Sequence, residues 1–203
     1  MMDSSEFEPT RVTLLHRLRS GKDQTAWLEF EKTYRSFIFS LILRMGISKE
    51  DAEDISQTVL TKVWQKIEDF EYNKNRGKFH NWLAAMTRNT VKDFFRVKKN
   101  FITGRDAVEY SEVYESIEQL VLPDIEKLAK EEWILHITNM AWENIKNDIH
   151  KNKRDVFKYI SEDIPNPEIA RKIGISEASV RVYKAEVFEK MRIEINRLQK
   201  ELS

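Results

Sequence analysis

The sequence predicts an all-α protein built from two small helical domains joined by a linker. Apolar residues recur three and four positions apart along most of the chain, as on the buried face of a helix. The 203 residues include only five Gly and four Pro, so few positions interrupt a helix. No stretch alternates convincingly between apolar and polar residues as a strand does. We expect domains at 1–99 and 125–203, with an acidic linker at 100–124.

Helical spacing begins near residue 10 and continues to about residue 45, where Gly21 separates two helices and Gly46 ends the second. The stretch SKEDAEDISQTVLTKVWQKIEDF, residues 48–70, predicts the next helix. Ser48 is its expected N-cap, and acids in its first turn suit the helix dipole. One apolar stripe follows its length: Ala52, Ile55, Val59, Val63, Ile67 and Phe70.

The turn FEYNKNRGKF precedes another helix, expected from Phe79 to about Lys99. We expect its inner face to contain Phe79, Trp82, Leu83, Met86, Thr90, Phe94 and Val97. Arg88, Lys92, Arg96 and Lys99 repeat at about one turn on the opposite face, with Asn89 beside them. Such a stripe can follow phosphates, and the aromatic and amide residues of the turn suit stacking on unpaired bases. A solvated basic face is the alternative.

Residues 100–124 lose strict periodicity, and Gly104 and Pro123 interrupt them. We interpret this segment as a partly helical or mobile linker. The helical pattern returns from Asp124, and two further short helices are expected after the sequence DIPNP.

The segment NPEIARKIGISEASVRVYKAEVF fits a helix-turn-helix. Asn166 is its expected N-cap, Pro167 its first helical residue, Gly174 the positive-φ residue of the turn, and Ser176 the cap of the second helix. That second helix would lie in the DNA major groove, where Arg181 can contact guanine and Lys184 can reach phosphate. Glu177 and Ser179 are further exposed candidates. An ordinary helical hairpin is the alternative.

The formal net charge is zero, but its distribution is uneven. Residues 71–105 contain nine basic and two acidic side chains, and residues 106–132 contain nine acidic and two basic ones. Residues 151–200 contain twelve basic and eight acidic side chains. Two basic blocks around an acidic one indicate two anion-binding modules and a distinct connector. The acidic segment is also expected to shield the basic ones in the free protein.

The chain contains no Cys, which excludes disulfides, thiolate metal sites and a cysteine nucleophile. The polar start MMDSSEFEPTRV does not resemble a signal peptide, and no apolar run is long enough to cross a bilayer. A cytoplasmic protein without membrane association is therefore expected. We predict no catalytic residue, metal or cofactor.

The motifs DAEDISQTVLTKVW and GKFHNWLAAMTRNTVKDFFR, followed by EEWILHITNMAWENI and PNPEIARKIGISEASVRV, resemble bacterial RNA polymerase sigma factors. The resemblance is to the extracytoplasmic-function (ECF) type of the sigma-70 superfamily, over about residues 10–99 and 125–195. It implies a region 2-like domain that binds core polymerase and melts the −10 element, and a region 4-like domain that recognises the −35 element. The implied function is promoter-specific transcription initiation without catalysis.

The resemblance implies three sets of site residues. The set expected to bind the clamp of the polymerase's largest subunit is Asp51, Asp54, Gln57 and Thr61. The set expected at the −10 element of melted DNA is Lys78, Phe79, His80, Trp82, Arg88, Asn89, Lys92 and Arg96. The set expected at the −35 element of duplex DNA is Ser176, Ser179, Arg181, Tyr183 and Lys184. Tyr183 and Glu186 depart from the Arg that the family often carries there, so the −35 sequence does not follow from the resemblance. An anti-sigma protein is a further candidate partner.

Four alternatives remain open. The chain could be a repressor or activator that acts without polymerase, or a degenerate sigma-like protein that binds a partner but no promoter. It could also be a nuclease using metal bound by Asp51 and Asp54, although no His lies nearby. Finally, the acidic linker could imitate nucleic acid in a polymerase channel or serve only as a solubilising tether.

Overall fold

The computed structural model describes residues 10–19, 23–68, 70, 79–98, 105–119 and 122–202. These ranges form helices and contain no strand, which confirms the predicted all-α class. None of these helices is apolar over a length that would span a bilayer. In chain order the α-helices are α1 (Thr10–Arg19), α2 (Gln24–Arg44), α3 (Lys49–Lys66), α4 (Phe79–Lys98), α5 (Arg105–Gln119), α6 (Leu122–Ile145), α7 (Lys151–Ser161), α8 (Asn166–Ile173) and α9 (Glu177–Leu202).

The capping residues that delimit α3 lie where the sequence predicts them. The Asp51 amide donates to Ser48 Oγ at 3.2 Å, so Ser48 is the N-cap. Gly46 adopts φ +82°, and its amide donates to the Leu43 carbonyl, which ends α2. Gly21, the other predicted helix separator, lies outside the described residues. Local chemistry thus fixes both boundaries between α2 and α3.

Helices α2, α3 and α4 contact one another, and aromatic rings fill the space between them. Phe30, Tyr34 and Phe79 are fully buried. The Tyr34 and Phe79 ring centroids lie 5.3 Å apart in an edge-to-face arrangement, which is a favourable geometry for aromatic pairs. The start of α4 is therefore anchored in the core.

The buried face of α4 is broader than the sequence predicts and is centred on other residues. Val97 is 56% exposed, although it was expected inside, and Phe95 is buried where Phe94 was expected. The reason is that α4 contacts α2, α3 and α5, so several sides of one helix are covered. Its buried residues are Phe79, His80, Leu83, Ala84, Thr87, Thr90, Val91 and Phe95.

The first compact unit continues to His136, well past the predicted domain boundary at residue 99. The predicted linker contains α5, which packs on α4, and the first half of α6 also belongs to this unit. Trp133 of α6 stacks on Tyr34 at 5.8 Å and on His80 at 5.1 Å, each with an interplanar angle of 16°. Arg44 also pairs with Glu131 and Glu132. The functional boundaries at 99 and 125 stay a prediction.

The second unit comprises residues 137–201 and contains the helix-turn-helix. Val156, Ile169, Ala170 and Val180 form its buried centre. Gly174 adopts φ +69°, as predicted for the tight turn. The start of α8 differs by one residue, because Pro165 is the N-cap and Asn166 is already helical. The predicted second short helix is α9, which has 26 residues.

We predict that Trp133→Ala lowers the free energy of unfolding of the first unit by about 3–5 kcal/mol, because a large buried ring leaves a cavity. Ile134→Ala, at the neighbouring position on α6 with 52% exposure, is the matched control and should have little effect. Urea denaturation followed by tryptophan fluorescence and circular dichroism measures both. Equal losses for the two variants would contradict the anchoring role of Trp133.

Candidate functional site

Asp51 of α3 does not lie on an exposed surface. The residue is 9% exposed, and its Oδ1 is 2.6 Å from Lys98 Nζ on α4. The Lys98 amine also lies 5.1 Å from the centre of the Phe94 ring. Asp51 therefore joins two helices, so it is unsuited in this arrangement to the partner contact that the sequence predicts for it.

The other predicted residues of α3 do face solvent. Asp54, Gln57 and Thr61 are exposed and share one side of the helix. The Thr61 hydroxyl donates to the Gln57 carbonyl at 2.9 Å, so it is already engaged with its own helix. Asp54 and Gln57 are thus the residues of the predicted set whose polar side chains face solvent where a partner can contact them.

Two grooves border this exposed side of α3. One, of about 540 Å³, lies towards α4 and is lined by Asp54, Thr58 and Phe94 among others. The other, of about 570 Å³, lies towards α2 and is lined by residues including Phe39 and Glu53. The exposed ridge of α3 between two partly apolar grooves can contact a protein partner through both charge and shape.

The first residues of α4, which were predicted to contact DNA, are core residues in this structure. Phe79 is fully buried and His80 is 5% exposed, so neither can reach a base in this arrangement. Their apolar ring surfaces pack against Tyr34 and Trp133 respectively. Trp82 is half-buried against Phe70 and remains partly accessible. Lys78 lies outside the described residues.

The predicted basic stripe of α4 lies on the side away from the core. Asn89 and Arg96 are exposed, whereas Arg88 and Lys92 are half-buried. Arg96 pairs with Asp93 at 3.0 Å within the same helix. Lys99, the remaining predicted member, lies outside the described residues. The three described cations, Arg88, Lys92 and Arg96, repeat every four residues and can follow a phosphate backbone.

Helix α5 covers part of this stripe. Lys92 Nζ lies 2.8 Å from Glu118 Oε2, and 19% of the Lys92 side chain is exposed. The Lys92 hydrogen bond lowers the pKa of the Glu118 carboxyl, and a hydrogen bond from Tyr114 lowers it further. Glu118 in turn raises the pKa of Tyr114 by accepting this hydrogen bond. The sequence did not predict which acid would face which cation.

Ser176 caps α9 as predicted. The Ser179 amide donates to Ser176 Oγ at 3.1 Å, and the two hydroxyls lie 2.9 Å apart. These two predicted DNA contacts therefore also set the start of the helix that would lie in the groove. Ser176 is exposed, while Ser179 is half-buried.

The other predicted residues of α9 differ in orientation. Tyr183 packs against the helix-turn-helix core, with Lys153 Nζ 5.5 Å from its ring centre. Glu186 pairs with the same Lys153 at 2.6 Å, which partly neutralises its charge. Lys184 Nζ lies 5.5 Å from the Phe188 ring centre. Tyr183 thus has a structural role, and Glu186 is less repulsive to phosphate than the sequence suggests.

The outward face of α9 contains the predicted Arg181 together with three residues that the sequence did not point to, Ala178, Val182 and Ala185. Arg181 and Val182 are both exposed, with Val182 at 53%, and Ala178 and Ala185 lie one turn before and after on this face. Small residues permit close approach to a groove floor, and an apolar side chain can contact a thymine methyl group. Assigning Val180 and Tyr183 to the inward side of the helix would have left Ala178, Val182 and Ala185 on its outward side.

Within the parts of the chain that the structure describes, no three His, Asp or Glu side chains come together in a group able to hold a metal ion. In the acidic start of α3, Asp51 is instead paired with Lys98, and Asp54 faces solvent. The Lys98 pair thus engages one of the two carboxylates that the nuclease alternative would use to bind a metal.

Comparison with known proteins finds a family match in each of two separate segments of the chain. Residues 32–101 match the family "Sigma-70 region 2", and residues 151–198 match "Bacterial regulatory proteins, luxR family". The chain is 32% identical over 77 residues to the ECF RNA polymerase sigma factor SigW of Bacillus subtilis, covering 38% of this chain and 40% of that protein. It is 26% identical over 85 residues to the ECF RNA polymerase sigma factor RpoE of Cereibacter sphaeroides, covering 42% and 46%.

Another relative, the RNA polymerase sigma factor NccH of Alcaligenes xylosoxydans, is 24% identical over 108 residues, covering 52% of this chain and 56% of that protein. The matched segments thus span about half or less of these relatives' own lengths. Among solved structures, CnrH in complex with the cytosolic domain of CnrY aligns over 93% of this chain and 98% of that chain. The TM-score is 0.37 and the identity 16%, a similarity too weak to indicate a shared arrangement.

We predict that Asp51→Asn lowers the free energy of unfolding by about 1–2 kcal/mol, because it leaves the half-buried Lys98 amine without its carboxylate. Asp54→Asn, one helical turn away and exposed, is the control and should change stability by no more than about 0.5 kcal/mol. Thermal or urea unfolding measures both variants. If the double variant Asp51→Asn/Lys98→Met is no more stable than Asp51→Asn, the loss does not come from the Lys98 amine that Asp51 binds.

Proposed function

We propose that this chain, which belongs to the ECF type of the sigma-70 superfamily, binds core RNA polymerase and directs promoter-specific initiation of transcription. In this role it catalyses no reaction itself. The observation that carries the proposal is the presence, in one chain, of a sigma-70 region 2 match and a separate helix-turn-helix unit. A repressor needs only the second of these features.

The exposed ridge of α3 is the proposed polymerase contact. Asp54 and Gln57 face solvent between two grooves, and Thr61 continues the same side. A basic surface on the polymerase clamp would complement the carboxylate, and apolar side chains of the clamp would fit the grooves. Asp51 supports this ridge indirectly, because its pair with Lys98 holds α3 against α4.

The outward side of α4 is the proposed contact for the melted −10 strand. Arg88, Lys92 and Arg96 would bind phosphates, and Asn89 can hydrogen-bond to an exposed base edge. Trp82 presents a partly accessible ring for stacking. Phe79 and His80 are assigned to the core, where they fix the rotation of α4.

The outward side of α9 is the proposed contact for −35 duplex DNA. Arg181 is suited to a guanine edge and Val182 to a thymine methyl group, with Ala178 and Ala185 allowing close approach. Ser176 caps the helix at the amide of Ser179, and both hydroxyls can donate to phosphate. Lys184 lies beside Phe188 and can reach the phosphate backbone of the DNA.

We propose core RNA polymerase and promoter DNA as partners, and an anti-sigma protein as a candidate regulator. The competing proposal is a helix-turn-helix regulator that binds duplex DNA without polymerase, which the second domain alone would permit. The two proposals differ in whether the chain needs core polymerase to recognise its DNA sequence.

Run-off transcription with purified bacterial core polymerase and a pool of promoter fragments tests the proposed function. We expect new start sites that share paired −35 and −10 motifs. Asp54→Arg should reduce these transcripts and the affinity for core polymerase at least about tenfold, because reversing a charge at an interface costs several kcal/mol. Glu68→Arg, an equal charge change at an exposed position after α3, is the control. Duplex binding without polymerase association or new transcripts would favour the repressor alternative.

The α9 contacts can be tested once the −35 motif is known. Arg181→Ala should weaken holoenzyme binding by about 1–3 kcal/mol and relax selectivity at one guanine. Val182→Ala should remove sensitivity to replacing one thymine by deoxyuridine, which lacks only the methyl group. Competition binding with duplexes that carry single substitutions measures both effects. Continued discrimination of thymine from deoxyuridine at every position by Val182→Ala would disprove the methyl contact.

A further inference from the structure

The surface of α4 that is proposed to bind the melted strand is already in contact with α5. Lys92 Nζ lies 2.8 Å from Glu118 Oε2 and 3.4 Å from the backbone carbonyl oxygen of the same residue. The preceding residue, Ile117, is fully buried. Helix α5 is thus held by an apolar contact as well as by an ion pair.

The group presented to Lys92 resembles the group that DNA would present. A carboxylate oxygen at 2.8 Å is an anionic acceptor at the distance typical of a charge-assisted hydrogen bond to phosphate. The charges of Lys92 and Arg88 contribute to the lowered pKa of Glu118, and Arg96 acts on the neighbouring Tyr114. All three described cations of the stripe therefore act on residues in the C-terminal half of α5.

The composition of α5 strengthens this likeness. The helix contains five acidic residues and one Arg, so it carries a run of negative charge as a single strand of DNA does. One of its acids, Glu115, is exposed and lies two residues before the buried Ile117, on the opposite side of the helix. All the acidic residues of α5 contribute to its negative electrostatic potential, whereas the direct contact with Lys92 is made by Glu118.

We propose that α5 is an internal competitor of single-stranded DNA: it occupies the phosphate site at Lys92 in the free protein and must be displaced when the melted strand binds α4. This inference rests on the proposed DNA-binding role of α4. The partner that displaces α5 is defined by its chemistry, a flexible polyanion with unpaired bases that can also stack on Trp82.

Displacement of α5 is expected to be reversible and salt-sensitive. Exposed ion pairs contribute little, so loss of the Glu118 contact alone should change DNA affinity by about two- to fivefold. Exposure of Ile117 adds to the cost of opening, because fully buried apolar surface returns to water. Added salt should reduce the effect of Glu118 by screening the pair.

The test measures binding of a short fluorescein-labelled single-stranded oligodeoxynucleotide to the full chain by anisotropy at low and high salt. Glu118→Gln should bind about two- to fivefold more tightly than the original sequence at low salt. Glu115→Gln removes the same charge from the same helix without touching Lys92, and it should give a markedly smaller gain. Amide hydrogen exchange in residues 105–119 should rise in Glu118→Gln, and in the original chain when the oligonucleotide is added.

Lys92→Gln and Arg88→Gln separate the DNA-binding role of α4 from the competitor role of α5. If these variants weaken binding while Glu118→Gln equals the original sequence, the DNA role of α4 stands and the competitor role of α5 is overturned. Equal gains from Glu118→Gln and Glu115→Gln overturn it too, because they indicate a general charge effect. If Lys92→Gln and Arg88→Gln leave binding unchanged, the DNA role of α4 fails and the competitor role with it. Thermal unfolding checks that each variant remains folded.

Discussion

The aromatic contact among α2, α4 and α6 is the constraint on which the first unit depends. Phe79 and His80 turn into the core at the first two positions of α4, against Tyr34 and Trp133. Successive residues of a helix are separated by a fixed angle, so fixing the rotation of the first turn fixes the direction of every later side chain. The cations of α4 consequently lie away from the core, where DNA and α5 can both reach them.

The same aromatic contact extends the first unit beyond the predicted domain boundary at residue 99. Trp133 ties the first half of α6 to the N-terminal helices, while the second half of that helix belongs to the other unit. The segment that precedes it is likewise not an independent tether, because Ile117 of α5 is buried in the first unit. Packing between helices, rather than residue composition, thus sets the boundaries of the units that carry the proposed contacts.

Two comparisons between residues of the same charge illustrate how the surroundings separate residues that look alike in the sequence. Asp51 and Asp54 both lie in the acidic start of α3, yet one bridges to Lys98 at 2.6 Å and the other faces solvent. Lys92 and Arg96 are both members of the basic stripe, yet one is engaged by Glu118 and the other by Asp93 of its own helix. A partner contact is accordingly proposed for the exposed Asp54, and competition between α5 and DNA is proposed at Lys92.

The sequence by itself determined the helical class, the caps at Ser48 and Ser176, the turn at Gly174 and the opposition of basic and apolar faces on α4. These features follow from local chemistry and from a period of 3.6 residues, which neighbouring positions fully specify. Tertiary structure alone decided that Phe79, His80, Tyr183 and Asp51 pack against other parts of the protein, that Val182 is exposed, and that Glu118 contacts Lys92. Burial and pairing depend on which helices cover a face from elsewhere in the chain, and periodicity within one helix does not contain that information.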